Sequence, residues 1–577
     1  WSDANVNENF PAPISPFLYS FASAGYANYF RNLARAFGLS RTRIAAMDDA
    51  LRHIIGVHGA RMYYNLTNIH TVLRTAPFGD ALVAAFNNFV GSGGSFGKVA
   101  RAKTSRTREV FELAVIAAKV TWLYLFLGRR VASFERTVDD FAERTEPHRL
   151  ATLSLRELRL LLNELMDIRC HRWTNASLAD AAAMVSYAVL RRLVEQADGG
   201  KAPKALHNTL LKAIPQLVSS EPVQQLWELS RAVRADAALH RLFQGDAESA
   251  VNQINVKPEF AGFRAAFDDY LQRWGFRCSA ELMLTAPSYQ EQPALLVETI
   301  RAYAQRDTES PAAALSRQLA ERKEETRRLL RKMRGRTVVL RTVLRWTQAA
   351  IACRERARLK QALLYSRCRR LALALGDQFA RRGHLAERDD IFWLTVSEVD
   401  ELAAGNAMFP HHVQELTAMR KRAHEQLSAT QPGNDFILRE GEYLPLWGEL
   451  RPVALENDNT GGSRTLRGVG ACGGRAVGRA IVLHDASEAG RLAADDILIT
   501  RQTDPGWASV FFLIKGLVIE RGGMLSHGAI VAREFGIPCV VGVPHATREL
   551  SQAGQIEVDG DQGEVHVLDE IDSRLLA

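Results

Sequence analysis

Apolar residues recur at helical spacing along most of this chain, and short apolar runs bounded by glycine replace that pattern towards its end. The helical pattern predicts helices from about Thr107 to Arg144, from Ser154, over Ala176–Gln196 and over Val223–Leu242. Ser154 and Glu157 have the spacing of a capping box, in which each side chain answers the other's backbone N–H. Tyr270–Glu281 interrupts the pattern, and the basic stretch 311–382 resumes it. The opening, with Pro11, Pro13 and Pro16, predicts an extended segment. His58–Thr67 reads as a short strand with Tyr63 and Asn65 at period two. Periodicity fails near Gln431, and residues 431–466, with Pro445, Pro452 and the run Asn457–Ser463, read as a linker with a flexible part. Strands are then expected at Ala476–Leu483, Asp496–Thr500, Leu517–Glu520 and Cys539–Val543, with a closing hairpin over Gln555–Leu568. Asp504 followed by Pro505 marks another helix start. The expected fold is multidomain: a large, mainly α-helical domain over 1–430, the linker, and a small α/β domain over 467–577.

One stretch of the α/β part combines several signals. After the expected strand at Leu517–Glu520, Gly522 and Gly523 allow a tight turn. Ser526 is a natural N-cap, Ala529–Phe535 is a good helical run, Gly536 suits a left-handed C-terminal cap, and Pro538 stops continuation. His527 therefore falls on the first helical turn. Free N–H groups there favour an anion and disfavour imidazolium, which keeps the ring neutral and nucleophilic. A phosphoryl group on His527 would meet backbone donors of the turn, at Gly523 and Gly528, and the Ser526 hydroxyl. The plainer alternative is a capping serine beside an ordinary surface histidine.

Composition narrows the class. The chain has 577 residues, 47% hydrophobic and 24% charged, enough for two to four domains. An excess of 73 basic over 65 acidic residues gives +8, spread too widely to suggest nucleic acid but compatible with phosphorylated ligands. Six cysteines without paired spacing suit reduced thiols in a cytoplasm, and neither a disulfide frame nor a metal site is expected. The most apolar run, Val110–Leu127, contains Glu112 and Lys119 and reads as a buried core helix, not a membrane span.

Thr503–Trp507, Gly522–Gly523, Ser526–Glu534 and Gly536–Gly542 together resemble the phosphohistidine swivel domain of PEP-utilising enzymes: PEP synthase, pyruvate phosphate dikinase and rifampin phosphotransferase. Leu525 and Gly528 lean towards the rifampin phosphotransferases. The opening segment and His58–Thr67 resemble, in order, motifs of that branch's substrate domain. So do Gly275, Arg277 and Glu281, although Cys278-Ser-Ala stands where the family has a glycine-rich tract. The resemblance implies that His527 carries phosphate between two distant sites. It implies a short strand at Arg388–Leu394 and a helix from about Thr395. It also implies a helix whose basic pair, four residues apart, faces the docked histidine, here Arg354 and Arg358. That spacing puts both guanidiniums on one face, able to clamp a phosphoryl group, though basic runs on helices are commonly solvated faces. Arg277 and Glu281 either pair with each other or line an acceptor pocket. Glu281 or His58 are candidate bases.

No ATP-grasp module and no PEP barrel occur in these residues, so ATP and Mg²⁺ are expected on a separate ATP-grasp subunit or a preceding part of the protein. The expected activity is dikinase-type phosphotransfer, ATP yielding AMP and phosphate, to a small-molecule hydroxyl or carboxylate. Two alternatives stand beside it. One is a two-component dehydratase or condensing enzyme that uses phosphoryl activation. The other is a non-catalytic phosphorelay protein.

Overall fold

The computed structural model describes every residue except 4–5, 77–78, 91–105, 198–205, 216, 306–308, 334–335, 430–432, 440, 444–464, 494 and 569–577. The change of hydrophobic period marks a change of architecture. Helices dominate up to Ser428, apart from one small hairpin, and a mixed eight-stranded sheet occupies Thr465–Leu568.

The helices that position the site are α1 (Pro16–Phe37), α2 (Thr174–Ala197), α3 (Pro311–Lys332) and α4 (Thr337–Arg381). Helix α4 has 45 residues and is the spine of the helical part. At 1.5 Å per residue it runs about 68 Å. Its first half buries Leu344 and Ile351 in a core shared with the sheet, and its second half buries Leu364, Leu371 and Phe379 with Phe17 and Phe21 of α1. Helix α2 packs along it. A third core, around Phe243, Phe267 and Ile300, holds the helices between Glu221 and Ala304.

A small hairpin, β1 (Ile55–His58) with β2 (Arg61–Tyr64), lies in the helical part. The large sheet is formed by β3 (Thr465–Arg467), β4 (Val469–Cys472), β5 (Arg475–Val482), β6 (Asp496–Thr500), β7 (Gly516–Ile519), β8 (Cys539–Val541), β9 (Gln555–Asp559) and β10 (Glu564–Leu568). Their order is β3-β10-β9-β5-β6-β7-β8-β4, with β5 to β8 parallel and the outer pairs antiparallel. Strands β6 and β7 are buried along their whole length because both faces are covered, which is why they read as unbroken apolar runs. Leu498, Leu517 and Ile519 face helix α5 (His527–Phe535), while Ile497, Ile499 and Val518 face Ala546, Leu550 and Ile556.

Several local expectations are corrected. The opening segment is not extended throughout: Val6–Asn9 is a helical turn, and Asp3 accepts from the Asn7 backbone and side chain. Residues 107–144 form two helices that break at Phe126, and the apolar run is no buried core helix, since Trp122 and Leu125 are exposed. Among the described residues no helix is long and apolar enough to cross a membrane. Asn65 lies past the strand and caps the next helix through the Asn68 N–H. The helix expected over Val223–Leu242 breaks at Asp236, which caps its second half. Arg388–Trp393 is a 3₁₀ helix, not a strand. The Asp390 N–H donates to the Glu387 carbonyl and the Leu394 N–H to that of Ile391, and the segment nestles where a Cβ on Gly376 would strike the Arg388 carbonyl. The described start of the expected linker is tied down: Asp435 bridges to Ser2, and Phe436 packs on His58 and Tyr63. Residues 444–464 lie outside the described residues.

Candidate functional site

Helix α5 begins where the sequence predicts. Ser526 is extended and its hydroxyl accepts from the Ala529 N–H at 3.3 Å, so His527 is the first helical residue. Gly522, at φ 148°, makes the preceding turn, and Gly536, at φ 71°, closes the helix. The turn is fastened from behind. Buried Arg533 donates to the Met524 carbonyl at 3.0 Å, and the Ser526 N–H donates to Gly523 at 2.9 Å. Gly528 has a steric reason: a Cβ there would overlap the Thr503 hydroxyl and Ile519.

His527 is not a surface residue. Its ring is 2% exposed because the sheet domain is seated on the helical part with α5 facing α4. Nδ1 lies 3.3 Å from Glu355 Oε2, at ion-pair distance. Neither ring nitrogen has a well-formed hydrogen bond among the described residues. Behind Glu355 the charges continue: Arg354 Nη1 is 2.7 Å from Glu355 Oε1, and Arg354 Nε is 3.3 Å from Asp180 Oδ1 on α2. Burial pulls the His527 pKa below its ordinary value, with Glu355 opposing and Arg358 and Arg277 assisting. Burial alone would raise Glu355, but His527 and Arg354 outweigh it and hold the carboxyl at about 2. The pair is thus a neutral-leaning imidazole beside a firmly ionised carboxylate.

Two clefts open beside this pair. The smaller, about 250 Å³, is lined by Glu8, Asn9, Glu281, Arg358 and Asp504. The larger, about 730 Å³, shares Asn9, Arg358 and Gln361 with it. Arg354 and Asp180 stand at its polar wall, and Tyr26, Tyr29, Tyr64, Phe86 and Trp173 form its aromatic walls.

Arg354 and Arg358 both reach this region, but Arg354 is engaged by two carboxylates and Arg358 donates to Asn9 at 3.1 Å. Arg277 and Glu281 do pair with each other, at 2.5 Å, and Glu281 also lines the smaller cleft. Arg277 itself lines neither cleft, so the pairing is what the structure shows of that motif. Asp504 crosses from the sheet domain to accept from the Ala280 N–H at 3.0 Å, and burial, reinforced by Glu281, pushes its pKa well up. His58 lines neither cleft; it is caged by Trp1, Tyr63 and Phe436, and burial lowers it to about 4.

Sequence reading missed Glu355, Asp180, Asp504 and the aromatic wall. Glu355 stood inside Arg354–Arg358, where only the arginines drew attention. Tyr26, Tyr29 and Phe30 have the spacing of a helical core face, so nothing in the pattern marked them as lining a cleft.

Comparison with known proteins gives two family matches. Residues 176–355 match the rifampicin phosphotransferase fourth domain, and residues 492–563 match the PEP-utilising enzyme mobile domain. A rifampicin phosphotransferase from Streptomyces sp is 33% identical over 63% of this chain and 41% of its own length. One from Bacillus cereus is 31% identical over 53% of this chain and 34% of its own. An uncharacterised Mycobacterium tuberculosis protein is 28% identical over 98% of this chain and 61% of its own length. The chain thus spans less than two thirds of each of these relatives. Its residues 492–563 are similar to the mobile domain of PEP-utilising enzymes, and its helical part is similar to rifampicin phosphotransferases.

Proposed function

We propose that these residues are the carrier and acceptor parts of a phosphohistidine-dependent phosphotransferase that acts on a small-molecule hydroxyl. The observation that supports it most is the burial of His527 against Glu355, beside Arg358 and next to an aromatic-walled cleft. A phosphorelay protein has no need of such a cleft.

The proposed chemistry starts on the ring. Ionised Glu355 faces Nδ1 and holds the proton there, which leaves the Nε2 lone pair to take the phosphoryl group. ATP with Mg²⁺, bound by an ATP-grasp module on a partner or elsewhere in the protein, supplies that group and yields AMP and phosphate. The sheet domain then docks as seen here. In transfer the Nε2–P bond breaks, an O–P bond forms, and imidazole leaves neutral, which its lowered pKa favours. Arg358 neutralises charge on the moving phosphoryl group. Glu281, on the wall of the smaller cleft, is placed to receive the acceptor's proton.

The test is incubation with an ATP-grasp partner, phosphorus-labelled ATP and cell extract. Label is expected on His527 and in a small molecule, and on neither in His527→Ala. Equal labelling of that variant overturns the proposal. Product mass distinguishes a stable phosphate ester from a dehydrated or condensed product.

A further inference from the structure

Arg169, at the end of the helix Leu155–Cys170, is a buried cation that meets no carboxylate among the described residues. It is 4% exposed, lines the larger cleft, and belongs to none of the ion pairs among the described residues. Its Nε has no hydrogen-bond partner there. Its guanidinium lies 4.9 Å from the Trp173 ring centroid and 5.8 Å from that of Tyr26. These rings lie against the flat faces, and along the donor edge the neutral Tyr365 hydroxyl is met while Nε is left without a partner. Its proximity pulls down on the Tyr365 phenol, which burial nevertheless raises to about 12. The other two arginines of the cleft differ: Arg354 is answered by Asp180 and Glu355, and Arg358 by Asn9. A buried guanidinium without an anion is costly, and its fork suits a carboxylate or sulfonate.

We infer that the acceptor is an aryl or polycyclic molecule bearing an acidic group, which Arg169 binds while the molecule's hydroxyl lies towards Arg358. The inference rests on the reading of this cleft as the acceptor site. Tyr64, Phe86 and Ile69 supply flat apolar walls for the ring system. A two- or three-carbon acid would leave these aromatic walls without contact.

The whole chain can be titrated with two fluorescent probes that differ by one charge: 1-anilinonaphthalene-8-sulfonate and neutral N-phenyl-1-naphthylamine. The sulfonate is expected to bind about tenfold or more tighter. Arg169→Gln is expected to remove that preference while the neutral probe stays within about twofold. Equal binding of the two probes, binding by neither, or a preference that survives in Arg169→Gln overturns the inference. Arg169 fills the space beside Gly25, where a Cβ would collide with it, so the variant can fail to fold. Displacement of the neutral probe from the wild-type chain by 2-naphthoate and by 2-naphthamide covers that case. The acid must displace it at lower concentration, and equal potency overturns the inference. None of these readouts needs phosphoryl transfer. Their failure leaves the labelling test of the carrier standing, and failure of that test with anion preference intact counts against the carrier alone.

Discussion

The two sides of the interface that buries His527 are built in opposite ways. The sheet domain presents His527 on one contiguous stretch, Gly522 to Gly528, whose conformation follows from glycines, a cap and a strand end, and adds Asp504 beside it. The helical part contributes side chains from segments far apart in the chain: Asn9, Asp180, Arg277 with Glu281, and Glu355 with Arg358. A contiguous carrier is fixed by backbone shape and leaves little room for variation. A dispersed wall can change its ligand by substituting single side chains while the helices stay in place.

Substitutions on each side should separate these roles. On the dispersed side, Arg358→Ala is expected to slow transfer to the acceptor about 10²- to 10³-fold while loading of His527 is unchanged, read by single-turnover labelling. Loss of both steps would mean that the wall also builds the carrier. On the contiguous side, Gly528→Val is expected to remove loading and transfer together and to cost about 1–3 kcal/mol in unfolding free energy, because its Cβ would overlap Thr503. Glu355→Gln links the sides. It should slow transfer about tenfold and move the imidazole titration of His527 to lower pH in NMR, since Glu355 opposes the lowering of that pKa. The smallest effect is expected at Glu534, buried on α5 where it accepts from the Ile214 N–H. Burial raises its carboxyl to about 8, against the pull of that bond, Arg533 and Arg322 and with a small push from Glu355. The folded state therefore holds this proton more tightly than the unfolded chain. Its contribution to stability is complete below the ordinary carboxylate pKa, declines above it and is gone past about pH 8. Melting temperature measured from pH 5 to 9 should fall more steeply in the wild type than in Glu534→Gln.

How much of this was legible follows from the same contrast. The change from helical to strand periodicity near residue 467, and the cap, turn and helix around His527, depend on neighbours in sequence and could be read there. That His527 is buried could not, because what buries it is a helix some 170 residues earlier. The Arg354 and Arg358 spacing placed both on the correct face, but Glu355 and Asp180 acquire meaning only when α2 packs along α4. The 3₁₀ turn at Arg388–Trp393 was misread for a related reason: its close approach to α4 at Gly376 is a tertiary fact.

Asp3 deserves a last consequence. It is almost wholly buried, with Arg501 Nη2 at 2.6 Å and Arg521 at 3.4 Å, and Arg521 also holds Asp435 at 2.8 Å. Both arginines sit just past strand ends of the domain that bears His527, while Asp3 and Asp435 belong to the other body. On the proposed function, a carrier that departs after each delivery must first unfasten this clasp. The dwell time of the delivered state then depends on ionic attraction at the foot of the turn that carries His527, and because Asp3 is buried, added salt would change it little.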